Sequence, residues 1–581
     1  MPDLSRVART VLRRRYLKKD EHGTVVETPD EMFRRVASTL AQAEARFGGR
    51  VDETEAAFYD VMRRLDFLPN SPTLMNAGTE LQQLAACFVL PINDSLSSIF
   101  DTLKNAALIH QSGGGTGFSF SSLRPNGDVV KETGGVASGP VSFMRIFNAA
   151  TEEIKQGGRR RGANMGVLDV THPDIEAFVT AKQTEDALRN FNLSVGTTSD
   201  FWDAYDSGGT YDVVNPRTGR AVRKDDPHRI LELISEMAWE TGDPGLLFLD
   251  TINADNPTPA LGRIAATNPC GEVPELPYEA CVLGSVNLGN HTTGRTVDWD
   301  HLERTVRRGI RLLDNTIEMS TFPVPEIGEM VPKTRRLGLG VMGFHDLLVD
   351  LRIPYDSDRA VEMAEEIMAF ISETSWDESR HLAQERGPFP AWEGSTHDRP
   401  VRNATTTSIA PTGTISMIAG CSASIEPLYN VTYTKHVMGG LEMSSNRFVE
   451  IAKNRGFYSE ALMKDLHGRT SLQDEPRIPD DVKRLFETAH DVPARRHLEI
   501  QAAFQRHVDN AVSKTVNLPA SATVDAVRDL FVEARERGVK GITVFRSGAK
   551  REQVLGEDPL KEECVSECEY VAPPASDEDS S

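Results

Sequence analysis

The amino-acid sequence predicts an α/β protein organised around one large sheet or barrel. Three observations point there. From about residue 79 to Ser547, short apolar runs such as CFVLPI (87–92) and GITVF (541–545) alternate with stretches of helical periodicity, among them HLERTVRRGIRLLDNTIEM (301–319) and RAVEMAEEIMAFISETSW (359–376). Glycine-rich interruptions separate these elements: SGGGTG (112–117), ETGGVASGP (132–140) and QGGRRRGAN (156–164). The chain has 581 residues and is 39% hydrophobic, enough to bury a substantial core and too long for one small domain.

Taken in order, residues 1–70 read as a helical N-terminal region. TPDEMFRRVASTLAQAEARF starts with a helix-capping Thr28 and an acidic first turn, then repeats apolar positions at helical spacing. NSPTLMNAG (70–78) is a turn-rich exit from it. Residues 71–549 carry the strand–helix alternation. Residues 550–581 are acidic, contain Pro and Ser and hold almost no core residues, the composition of a flexible tail.

Charge excludes some functions. Against 86 acidic residues stand 64 Lys and Arg, a formal charge of −22, so no net positive surface is available to displace counterions from nucleic acid. No run of about 18 apolar residues could span a bilayer, and the basic start MPDLSRVARTVLRRRYLKK has no apolar core of a signal peptide. The expectation is a cytoplasmic protein with neither nucleic acid nor membrane as partner. The six cysteines (Cys87, Cys270, Cys281, Cys421, Cys564 and Cys568) form no CxxC pair, so free thiols are expected and no metal site is assigned.

Two segments could carry chemistry. In TNPCGEVPELPYEACVLGSVNLGN, Asn268, Cys270 and Glu272 alternate, and an extended backbone would point all three to one side. Alone, the pattern equally describes a buried cysteine in a Pro/Gly turn. In TTTSIAPTGTISMIAG, a β-rich run from Thr405 to Ala410 leads through Pro411, Thr412, Gly413, Thr414 and Ile415 into a helix. Such a turn can aim backbone N–H groups at a phosphate, and is equally ordinary helix capping. SGGGTGF lacks both the Lys of a P-loop and the spacing of a dinucleotide fingerprint.

NSPTLMNAG, LAACFVLPINDSLSSIFDTL, SGGGTGFSFSSLRP, NPCGE, a cysteine eleven positions after Cys270, and SIAPTGTIS occur in this order. The set resembles the catalytic subunit of ribonucleotide reductases, specifically the adenosylcobalamin-dependent class II enzymes, from roughly residue 10 to 550. No Tyr-Tyr pair of the class I radical relay occurs, nor a class III glycyl-radical motif or multi-cysteine zinc site. The resemblance begins near residue 10, so the extra N-terminal ATP-binding module of many relatives is not expected. D-x-H-x-x-G, by which some cobalamin enzymes replace the lower cobalt ligand, is absent, in keeping with class II. The alternatives are a class I large subunit with an unrecognised relay and a non-catalytic nucleotide-binding regulator.

The resemblance implies a ten-stranded α/β barrel with a central finger loop, preceded by a small helical N-terminal region. It implies adenosylcobalamin as cofactor and reduction of ribonucleotides, favouring diphosphates, to 2′-deoxyribonucleotides. Cys270 would be the thiyl carrier, Glu272 the base on the 3′-OH, Asn268 a sugar contact, and Cys87 with Cys281 the reducing pair. Ser71, Ala86, Cys87, Gly115, Asn268, Pro269, Cys270, Gly271, Glu272, Pro411, Thr412, Gly413, Thr414 and Ile415 would contact substrate. Asp94, Ser95, Leu96 and Arg124 would bind an effector deoxynucleotide (dNTP) at a homodimer interface, with QGGRRRGAN linking effector to substrate choice. Cys564 and Cys568 would carry electrons from a thioredoxin-like reductant into the barrel.

Overall fold

The computed structural model describes residues 4–130, 135–156, 160–184, 187–435 and 440–549. The N-terminal region is helical: α1 (Arg6–Val11), α2 (Pro29–Ala41) and α3 (Val51–Arg63). Thr28 caps α2 as its sequence predicts. Its hydroxyl accepts from the Glu31 N–H at 3.3 Å, while the Glu31 carboxylate accepts from the Thr28 N–H at 2.7 Å. Met32, Phe33, Val36, Ala37 and Leu40 recur at helical spacing and are buried on the side that meets α3.

The core is one mixed sheet of ten strands: β1 (Phe67–Pro69), β2 (Cys87–Val89), β3 (Gly115–Ser119), β4 (Asn164–Asp169), β5 (Phe191–Thr197), β6 (Gly245–Phe248), and, after a small hairpin of β7 (Ala266–Thr267) and β8 (Pro274–Glu275), β9 (Ala280–Asn287), β10 (Leu337–Met342), β11 (Thr515–Leu518) and β12 (Gly541–Arg546). The order is β1-β9-β2-β3-β4-β5-β6-β12-β11, with β10 on the other side of β9. β2 to β6 form a parallel block. It joins β9 and β12 antiparallel at its two ends. β9 is buried along its whole length, which explains its unbroken apolar reading. Beside β10, the segment around residue 408 makes two isolated parallel bridges, Leu339–Thr407 and Ile409–Val512, the second just ahead of β11.

Those bridges correct one expectation. Residues 405–410 form no continuous strand, because the Asp509 carboxylate takes the N–H groups of Thr406 (2.8 Å) and Thr407 (3.1 Å). The segment still runs beside β10 and leads into a short helix, Ile415–Ala419.

Outside the sheet, α4 (Leu96–Ser112) and α5 (Pro140–Glu153) pack together, and α6 (Trp299–Met319) lies on β9 and β10 with α7 (Asp358–Arg386) behind it. A buried charge network ties these layers. Asp314 on α6 accepts from Arg335 at 2.7 Å and Arg386 at 2.9 Å, and Arg386 also reaches Glu44 of the N-terminal region at 2.6 Å. Burial alone would raise the Asp314 carboxyl, but Arg335, Arg402 and Arg386 outweigh it and hold the group well below the ordinary range. Among the described residues no helix is long and apolar enough to cross a membrane.

Candidate active site

The hairpin of β7 and β8 pairs Ala266 with Glu275 and Thr267 with Pro274, and carries the Asn268–Glu272 motif at its tip. The tip is a tight loop, not the extended run that alternation suggested. Gly271 takes φ +84°, its N–H donates to the Asn268 carbonyl at 3.1 Å, and the Asn268 side chain accepts from the Val273 N–H at 2.9 Å. Both flanks are anchored: Asn192 Nδ2 donates to the Pro269 carbonyl at 2.8 Å, and Ser408 Oγ to the Glu272 carbonyl at 2.9 Å. The hairpin crosses β3 so closely that a Cβ on Gly117 would lie 1.7 Å from the Thr267 carbonyl oxygen. Glycine is required there for contact.

Cys87 and Cys281 stand opposite each other on β2 and β9. Directly opposed antiparallel residues have Cβ atoms about 4.5–5.5 Å apart, so a small closure reaches the roughly 3.5–4.5 Å of a disulfide. Both thiols are buried in an apolar cluster with Val273 and Leu283, and Asn268 Nδ2 lies 3.2 Å from Cys87 Sγ. Burial, reinforced by Glu275 and Cys87, pushes the Cys281 thiol well above its ordinary pKa.

A cavity of about 150 Å³ opens above these groups. Its wall includes Ser71, Ala86, Cys87, Gly115, Asn268, Pro269, Cys270, Glu272, Pro411, Thr412, Gly413, Thr414 and Ile415. Of the sequence-predicted substrate residues only Gly271 lies elsewhere, facing a second cavity of about 1100 Å³. Pro269, Cys270, Pro411 and Gly413 line both. Cys270 therefore borders both the small cavity, which Cys87 also lines, and the much larger one.

Sequence reasoning missed Arg15 and Tyr16, which close the small cavity from the N-terminal region; the Tyr16 hydroxyl is 2.8 Å from Ser71 Oγ. The basic run RRRY was their one local signal. It also missed Lys514 in the large cavity, where Nζ donates to Glu426 and approaches His497 Nδ1 at 3.0 Å. Burial lowers the Lys514 pKa against the pull of Glu426.

The proposed effector residues lie together, outside both cavities. Arg124 Nε donates to Asp94 at 2.8 Å and the Arg124 N–H to the same carboxylate at 3.1 Å. Ser95 caps α4, and Leu96 is 64% exposed. Residues 157–159 of QGGRRRGAN, and Cys564 and Cys568, lie outside the described residues.

Comparisons with known proteins bear on this arrangement. The chain is 51% identical to the vitamin B12-dependent ribonucleoside-diphosphate reductase of Mycobacterium tuberculosis (strain CDC 1551 / Oshkosh), with 95% of this chain and 80% of that protein covered. It is 46% identical to the protein of the same description from Thermoplasma acidophilum, covering 94% and 79%. A solved structure, the Actinobacillus ureae class Id ribonucleotide reductase alpha subunit, superposes with a TM-score of 0.77 at 24% identity, covering 94% of this chain and 98% of that one, and shows the shared fold. The family model described as "Ribonucleotide reductase, all-alpha domain" matches residues 2–82, and that described as "Ribonucleotide reductase, barrel domain" matches 85–401 and 396–545. With nearly every described element inside those two matches, the chain belongs to the ribonucleotide reductases, the oxidoreductases that convert ribonucleotides into DNA precursors.

Proposed function

We propose that this protein reduces ribonucleoside diphosphates to 2′-deoxyribonucleotides in the cytoplasm, with adenosylcobalamin as its radical source. The observation that carries the reading is the position of Cys270, shared by the two cavities. The small one suits a ribose above the thiol pair. The large one, of about 1100 Å³, also reaches Cys270 and is the one we assign to the cofactor. Met417, Tyr429, Lys435 and Lys514 are among the residues that would hold the cofactor. When bound, adenosylcobalamin supplies an organic radical by cobalt–carbon homolysis.

The remaining steps belong to the chain. Cys270 gives up its S–H hydrogen atom toward the large cavity and, as a thiyl, takes the 3′-hydrogen of the ribose in the small one. Glu272 accepts the 3′-OH proton, which labilises the 2′-OH. Asn268 orients the sugar and holds Cys87. Cys87 protonates the departing hydroxyl as water, and Cys87 and Cys281 together supply two electrons and close as a disulfide. The 3′-hydrogen then returns from Cys270. Ser71 and the turn from Pro411 to Ile415 hold the phosphates.

Asp94, Ser95, Leu96 and Arg124 bind an effector deoxynucleotide between two copies of the chain. The exposed Leu96, Phe100 and Leu108 of α4 and Ile146 of α5 support that homodimer surface. Cys564 and Cys568 pass electrons inward from a thioredoxin-like protein. The test is direct: purified chain, adenosylcobalamin, a small dithiol and each ribonucleoside diphosphate should give deoxynucleotide with no second protein. A strict need for an added radical-generating subunit would overturn the reading.

A further inference from the structure

Glu275 sits on β8, at the base of the hairpin that carries Cys270. It is fully buried, and neither carboxyl oxygen has a protein hydrogen-bond partner. An orphaned buried acid is costly enough to need a reason. Pairing along the hairpin continues from Ala266 and Glu275 to Asn268 and Val273, whose backbone groups bond at 3.2 Å. Strand alternation therefore puts Glu275 on the side of Val273, which packs against Cys87 and Cys281. The cation nearest in kind, Arg336, is already committed: its Nε donates to Glu279 at 2.8 Å and its Nη2 faces Asn256 and Thr258. Burial and Glu279 raise the Glu275 pKa well above the ordinary range, Arg336 opposes, and Glu272 adds to the rise. That shift favours the protonated, neutral acid. Once ionised, Glu275 is the charge that most disfavours a Cys281 thiolate.

We propose that Glu275 is the proton donor to Cys281 when the Cys87–Cys281 disulfide is reduced between turnovers. The proposal rests on the ribonucleotide-reductase chemistry given above and adds a residue to its regenerating half. Cys87 lines the small cavity and Cys281 does not, so an entering dithiol attacks as a thiolate at Cys87 Sγ. The S–S bond breaks, its electron pair passes to Cys281, and Cys281 takes the Glu275 proton instead of remaining a buried thiolate. The reductant's second thiolate then displaces Cys87 and closes the reductant's own disulfide. Of the two protons the dithiol has lost, one goes to Cys87 and one returns to Glu275. One disulfide is reduced, one dithiol is oxidised and the protons balance.

The charged and titratable groups facing Glu275 are Glu272 on the loop, Glu279 before β9, Arg336 before β10, and Cys281. Per attacking thiolate, re-reduction in the wild type should slow as pH rises and Glu275 loses its proton, and Glu275→Gln should lack that limb. The experiment compares pre-reduced holoenzyme in its first turnover, without reductant, with steady-state turnover on dithiothreitol. In Glu275→Gln the ratio of steady-state to first-turnover rate should fall by about a hundredfold, the lower end for a lost general acid. An unchanged ratio, or an equal fall in both rates from a merely structural defect, would overturn the proposal. Failure of the wild type to form deoxynucleotide even in its first turnover would instead overturn the underlying function. Should the variant not fold, difference infrared spectroscopy of the wild type decides: reduction of the disulfide must perturb a protonated-carboxyl C=O band, and its absence refutes the assignment.

Discussion

Cys281 is a thiol that burial keeps protonated, with Glu275 and Cys87 adding to the effect. An ordinary cysteine begins to ionise near pH 8.5, so Cys281 should resist iodoacetamide at about pH 8 while exposed thiols react. Peptide mass spectrometry of the folded, reduced protein measures this. Rapid alkylation of Cys281 would show that it is not buried as described. That Asn268, Cys270 and Glu272 belong to one cluster was legible at this scale because they are close in sequence. Their backbone was not, because Pro269 and the left-handed Gly271 turn the chain where alternation alone implied a strand. Arg15 and Tyr16 were illegible as wall residues, since more than fifty positions separate Tyr16 from the Ser71 it bonds.

At the scale of the element, the hairpin depends on a strand with no side chain beneath it. In Gly117→Ala the new Cβ would meet backbone, the Thr267 carbonyl, which cannot swing aside like a flexible side chain. The hairpin must shift, and Cys270 with it. A displacement of about 1 Å can cost on the order of 10²-fold in rate, so steady-state activity should fall by about that factor while the circular dichroism spectrum stays native. Wild-type activity would mean the hairpin is not held against β3. Helices were the elements read best: the capping box at Thr28 and the periodicity of 301–319 and 359–376 all reappear within α2, α6 and α7. The run from Thr405 to Ala410 failed because a carboxylate 99 residues beyond it, at Asp509, captures the N–H groups a ladder would use. Strand propensity carries no trace of such a competitor.

Across the whole molecule, the sheet is tied to the N-terminal region by charge as well as by apolar contact. Asp314 binds Arg335, Arg386 and Arg402, and Glu44 joins through Arg386. Removing one member of a buried charge network strands the others, at a cost of about 3–5 kcal/mol. Asp314→Asn should therefore lower the denaturant midpoint markedly, and a shift within error of zero would contradict the network's role. The pH dependence has a definite sign. The Asp314 pKa is depressed in the folded state, so its stabilisation is present above the ordinary carboxylate value of 3.8 and is lost as pH falls through the folded value. These partners come from four distant parts of the chain, and no sequence pattern announces them.

Everything turns on Cys270, which borders both cavities and is proposed to give up its hydrogen atom toward one and take the 3′-hydrogen from the other. Cys270→Ser tests it most directly, because the hydroxyl is nearly isosteric yet its O–H bond is too strong to act as the carrier. Deoxynucleotide formation and nucleotide binding should be measured on the same preparation, with adenosylcobalamin and dithiol present. Binding like that of the wild type and no detectable turnover are expected. Turnover within a few-fold of the wild type would contradict it.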